Sequence, residues 1–102
     1  MENEFKDAPD HTTEAKFTAT VTDLKGTCRA RHRIGQRFEL NCYDTGGLCG
    51  FFYHDLYPYL LGLQYGAVFP WWGDQKVVEI ECPDPYNKLV VTLEIPVPIQ
   101  KG

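Results

Sequence analysis

Four cysteines, Cys28, Cys42, Cys49 and Cys82, and two of the three histidines, His32 and His54, are the residues of this chain best equipped for chemistry. Thiolates and imidazoles bind zinc, and thiolates bind iron–sulfur clusters, where three or four of them converge. There is no C-x2-C pair and the intervals are wide, so a shared site would have to be assembled by the fold. Cys28 and His32 stand four apart. Along an extended chain that is about 13 Å, at roughly 3.3 Å per residue, so they can share a site only if the segment turns. Cys49 opens an apolar helical stretch, where unsatisfied amides and the helix dipole favour a thiolate. A Cys49–His54 nucleophile pair is disfavoured, because five residues along a helix passes one turn and points the side chains apart. The competing reading is that the cysteines pack as small hydrophobes. Cys82 shares the phase of Val78 and Ile80, as a packed residue would.

Arg29, Arg31 and Arg33 alternate, so in an extended segment they share one face. Such a patch suits an anionic ligand or an acidic partner, and it equally suits a charged, solvated strand edge. Phe69, Trp71 and Trp72 offer faces for a planar ligand, a core cap or a self-association contact. Trp71 and Trp72 are adjacent and cannot both point inward from an extended loop, so one of them is a candidate hot spot for a protein partner. Asp44, Asp55, Asp74 and Asp84 all fall at turn or cap positions. No paired-carboxylate signature, glycine-rich phosphate loop or Ser/His/Asp arrangement is present.

The elements that must hold these residues follow from periodicity. Residues 15–24 alternate, with Phe17, Ala19 and Val21 on one face and Thr18, Thr20 and Thr22 on the other, which predicts a strand. Residues 37–42 alternate again through Phe38, Leu40 and Cys42. From Cys49 the positions Phe52, Tyr53, Leu56, Tyr59, Leu60 and Leu63 recur at helical spacing. Pro58 lies inside that stripe and predicts a kink, or a break near Asp55 that caps a second helix. Gly66 is the natural stop. Two further strands, 75–82 and 88–95, flank the turn Pro83-Asp84-Pro85-Tyr86-Asn87. Residues 1–14 form a polar lead-in, 15–96 one domain and 97–102 a tail. The fold class expected is α+β: a four-stranded, mostly antiparallel sheet in β-β-α-β-β order with one kinked aromatic helix on one face. The other sheet face is rich in Thr and Glu, and is solvated or self-associating.

The totals limit the function classes. A chain of 102 residues, 43% of them hydrophobic, makes one packed domain. A net charge of −4 argues against a general nucleic-acid binder. No apolar run is long enough for a membrane span, and the acidic start is unlike a secretory signal. The expected location is cytoplasmic, where thiols stay reduced rather than forming the two disulfides an even count permits.

The motifs C-x3-H-x2-G (Cys28, His32, Gly35), Gly47-Leu48-Cys49, Tyr57-Pro58-Tyr59, Phe69-Pro70-Trp71 and Cys82-Pro83-Asp84 resemble a small, functionally uncharacterised prokaryotic family. The resemblance runs from about Phe17 to Ile95. It implies that Cys28, Cys49 and Cys82 are the family's recurring thiol set, and Cys42 lies outside the pattern. The function expected is a cysteine-dependent metal- or iron–sulfur-binding accessory or redox protein. Cys28, Cys49 and Cys82 would be ligands to zinc or a cluster, with His32 the better and His54 the poorer candidate for a fourth. The alternative is a metal-free binding or oligomerisation module with structural cysteines and an Arg/Trp contact surface. Thiols within about 4 Å of one another would favour the first, and scattered, apolar-packed thiols the second.

Overall fold

A computed structural model describes residues 15–96. The expected lead-in, 1–14, and tail, 97–102, lie outside them. The elements are β1 (Phe17–Asp23), β2 (Arg37–Leu40), α1 (Gly50–Gln64), β3 (Val77–Glu81) and β4 (Val90–Glu94). They form one four-stranded sheet of order β2-β1-β4-β3, in which every neighbouring pair is antiparallel. The α+β class read from the sequence is what the chain adopts.

The alternation in β1 and β4 sorts the side chains as their apolar phase predicts. Phe17, Ala19, Val21, Leu89, Val91 and Leu93 are buried, and Thr22 and Glu94 are exposed. Phe52, Leu56 and Leu60 of α1 lie in the same apolar cluster as these strand residues. They are spaced by four, one per turn on the same face. Each fully buried side chain of this kind contributes about 2 kcal/mol over leaving it in water. The helix runs from Gly50 to Gln64 without a break at Asp55, and Pro58 lies inside it. Proline removes the hydrogen bond to the carbonyl of His54, but both residues are exposed, so water can take that place.

One phase departs from expectation. After Leu40 the strand ends, and Asn41 is the buried residue while Cys42 is only half-buried. Asn41 forms an isolated bridge to Asp44, and its side chain accepts the Tyr43 amide at 2.9 Å. The Tyr53 hydroxyl donates to the Asn41 carbonyl at 2.7 Å. These bonds tie the loop after β2 to the helix.

The register decides which loops meet. β1 and β3 both pair antiparallel to β4, so they run parallel to each other. Asp23 and Glu81, their last residues, both stand opposite Val90. The chain therefore leaves β1 and β3 at the same end of the sheet, which brings Cys28 and Cys82 to one place.

Candidate functional site

Three elements supply the site. Cys28 follows β1 in a turn closed by the Arg31 amide donating to the Cys28 carbonyl at 2.9 Å. Arg31 completes that turn with a left-handed φ of 67°, an uncommon conformation for a residue with a side chain. Cys49 is the N-cap of α1, extended at φ −65° and ψ 151°, and its side chain caps no helix amide. Cys82 follows β3 and is held to β4 by its amide, which donates to the Leu89 carbonyl at 2.8 Å.

Asn87 locks the first and third of these together. Its carbonyl accepts the Lys25 amide at 2.8 Å, and its side-chain Oδ1 accepts the Thr27 amide at 3.1 Å. Its Nδ2 donates to Asp84 Oδ2 at 2.9 Å. Asp84 in turn accepts the Tyr86 amide at 2.9 Å. That bond, the Asn87 side chain and the Arg29 charge hold the Asp84 carboxyl below the usual carboxylate range. Gly26 lets the loop lie this close, because a Cβ there would run into the Asn87 side-chain oxygen.

The result is a cavity of about 430 Å³ that Cys28, Cys49 and Cys82 all line, together with Arg29, Phe51 and Tyr86. All three thiols are free and half-buried. Burial pushes the Cys82 thiol up. The Asp84 amide directed at its sulfur opposes this, and the neighbouring Cys49 and Cys28 add to it. Cys82 thus senses the other two thiols across a single cavity. Yet among the described residues no group of three or more His, Cys, Asp or Glu side chains is close enough to hold a metal ion as it stands. The arrangement is a thiol-lined pocket rather than a closed tetrahedral knot.

No family model, curated protein or solved structure matches this chain. The reading of the site therefore rests on its own residues.

The other candidates separate cleanly. His32 is buried, and its segment does turn, as a site shared with Cys28 requires. But its Nε2 accepts the Cys49 amide at 3.1 Å, and its ring meets Phe38 edge-on at 4.7 Å. Burial lowers its pKa, which favours the neutral ring with the proton on Nδ1. His32 thus positions the backbone of Cys49. His54 projects into solvent with its side chain 88% exposed, and its Nδ1 lies 3.4 Å from Asp55 Oδ1. It does not line the thiol cavity.

The arginines do not form the single face expected of an extended segment. The turns at Cys28–Arg31 and Arg33–Gln36 fold that segment up. Arg29 lines the thiol cavity, whereas Arg31 and Arg33 line a second hollow together with His32 and Cys28. Cys42 lies apart from the other cysteines, its amide donating to Gln64 Oε1 at 3.0 Å. Of the two tryptophans, Trp71 is 62% exposed and Trp72 packs against the core. No helix among the described residues is long and apolar enough to cross a membrane. Asn87 and the His32 acceptor are the site-building residues that sequence spacing does not reveal.

Proposed function

We propose that the protein is a small thiol-dependent binding protein, and that the Cys28–Cys49–Cys82 cavity takes an iron–sulfur cluster or a comparable thiophilic group. It would then serve as an accessory or redox partner of another protein. The observation that supports this reading is the convergence of three cysteines, from three separate elements, on one cavity of about 430 Å³. Cys28, Cys49 and Cys82 would supply the thiolate ligands to such a group. Cys82 must lose its proton to become a ligand, so binding would release protons and strengthen as pH rises. The second reading, a metal-free module with structural thiols, is supported by the packing of Cys28, Cys49 and Cys82 against the apolar core.

Anaerobic purification and reconstitution, followed by elemental analysis and visible absorption, separates the two. The expected result is bound iron with thiolate-to-iron charge-transfer bands, lost in Cys28→Ser, Cys49→Ser and Cys82→Ser and kept in Cys42→Ser. Absence of iron, zinc and any charge-transfer band in the reconstituted protein overturns the proposal in favour of the metal-free module.

A further inference from the structure

A second groove, bordered by the aromatic loop, carries a different chemistry. After α1 the Ala67 amide donates back to the Gly62 carbonyl at 2.8 Å. Gly62 leaves room for Phe69 to close on the helix, since a Cβ there would lie 2.8 Å from the Phe69 ring. The following turn is closed by the Trp72 and Gly73 amides on the Phe69 carbonyl, at 3.0 and 2.9 Å. It sets Trp72 against Tyr59, with centroids 5.4 Å apart and rings inclined at 60°. Trp71 stands beside Trp72 at 6.0 Å and 65°.

Together with the edge strand β3, these rings border a groove of about 380 Å³. Its lining combines Tyr59, Trp71 and Trp72 with three acidic residues, Asp55, Glu79 and Glu81, and among the described residues includes no lysine, arginine or histidine. Asp55 has the 3.4 Å contact to His54 noted above.

We infer that this groove binds an organic cation whose head group is an alkylated ammonium. Three features point to that class. Three aromatic rings, Tyr59, Trp71 and Trp72, line the groove, and such rings attract a cation within about 6 Å of their centroids. The carboxylates, Asp55 on α1 and Glu79 and Glu81 on β3, add charge of the matching sign, and they disfavour anions. The acidic side chains do not close into a metal-holding group among the described residues, so a compact divalent ion is not what the lining suits. A bulky, weakly hydrated cation that fills the volume and tolerates an open groove fits it better. The site uses none of the three cysteines, so it stands whether or not the thiol cavity binds a cluster.

The test is a titration of intrinsic tryptophan fluorescence, confirmed by calorimetry. The probes are choline and its uncharged analogue in which carbon replaces nitrogen. Saturable choline binding, roughly tenfold tighter than the uncharged analogue, is expected. Trp71→Ala and the double variant Glu79→Gln/Glu81→Gln should each weaken it by roughly fivefold or more. The two variants alter separate elements at exposed positions, so a folding defect in one leaves the other informative. A trimethyllysine peptide, compared with its unmodified form, separates the two sources of the head group. Tighter binding of the methylated peptide than of choline places the cation on a polypeptide, and the reverse places it on a free metabolite. Equal binding of choline and the uncharged analogue overturns the inference. So does choline binding unchanged in both variants, and so does concentration-dependent association abolished by Trp71→Ala with no choline binding, which would make the surface a self-association contact.

Discussion

His32 is only 7% exposed, and its Nε2 receives the Cys49 amide at 3.1 Å, so replacing it tests how the helix start is held. His32→Ala removes one hydrogen bond to a backbone donor, worth about 1 kcal/mol net. It also removes the edge-on contact with Phe38, worth about 1 kcal/mol beyond its area. With the cavity left by the ring, the expected loss is about 2–3 kcal/mol. For a domain of this size that lowers Tm by about 10–20 °C. The pH dependence has a definite sign. The folded pKa lies below the ordinary histidine value of 6.5, because burial opposes the charge. As pH falls through that value, the unfolded chain takes up its proton first. The contribution is therefore complete above 6.5 and is lost progressively below it, at up to about 1.4 kcal/mol per pH unit. Protonation also puts a hydrogen on Nε2 facing the Cys49 N–H, which breaks the bond. His32→Gln keeps an acceptor that does not titrate, so it should flatten this part of the profile. Urea unfolding at a series of pH values from about 7.5 to 5.5 brackets that histidine range and measures both effects. Parallel stability profiles for wild type and His32→Gln, or a cost below about 0.5 kcal/mol for His32→Ala, would refute the argument.

Two further outcomes test the loops around the thiol cavity. Gly26→Ala drives a Cβ into the Asn87 side chain that accepts the Thr27 amide, so it should cost about 1–3 kcal/mol in urea unfolding. Gly50→Ala is the control: nothing lies within 4 Å of its would-be Cβ, and it should be neutral or stabilising by about 0.5–1 kcal/mol. Equal effects of the two substitutions would show that the clamp is not tight. Cys82 should alkylate with a pH midpoint above that of an ordinary thiol, since burial raises it and Cys49 and Cys28 add to the effect. A midpoint at or below the ordinary thiol range, read by mass spectrometry on the Cys82 peptide, would contradict the packing described.

Much of the sheet is legible from period alone, because each strand buries one side of a pleat. Phe17, Ala19 and Val21, or Leu89, Val91 and Leu93, are sorted by alternation whatever lies beside them. Strand order is not legible in that way. Nothing in local pattern says that β4 lies between β1 and β3, yet that one pairing makes β1 and β3 parallel and carries Cys28 and Cys82 to the same end. Alternation also fails where a polar side chain takes a core position. Asn41 is 1% exposed because its own amide group and the Tyr53 hydroxyl satisfy the loop it anchors, and a hydropathy pattern counts it as surface.

The same limit governs the site. Three cysteines could be suspected of converging, but their wide spacing conceals how. The convergence depends on side chains that bind remote backbone: His32 on the Cys49 amide, and Asn87 on the Thr27 amide. Such bonds join positions with no fixed spacing, so they leave no periodic trace. They also decide roles. An imidazole four residues from a cysteine is a candidate ligand once the segment turns, but an imidazole whose Nε2 already accepts an amide has that lone pair in use. The arginines illustrate the converse. Alternation put Arg29, Arg31 and Arg33 on one face only for an extended chain, and the positive φ at Arg31 turns the chain between them. Of the three, Arg29 lines the cavity that the three thiols share, and its charge adds to the Tyr86 and Asn87 hydrogen bonds that lower the Asp84 carboxyl.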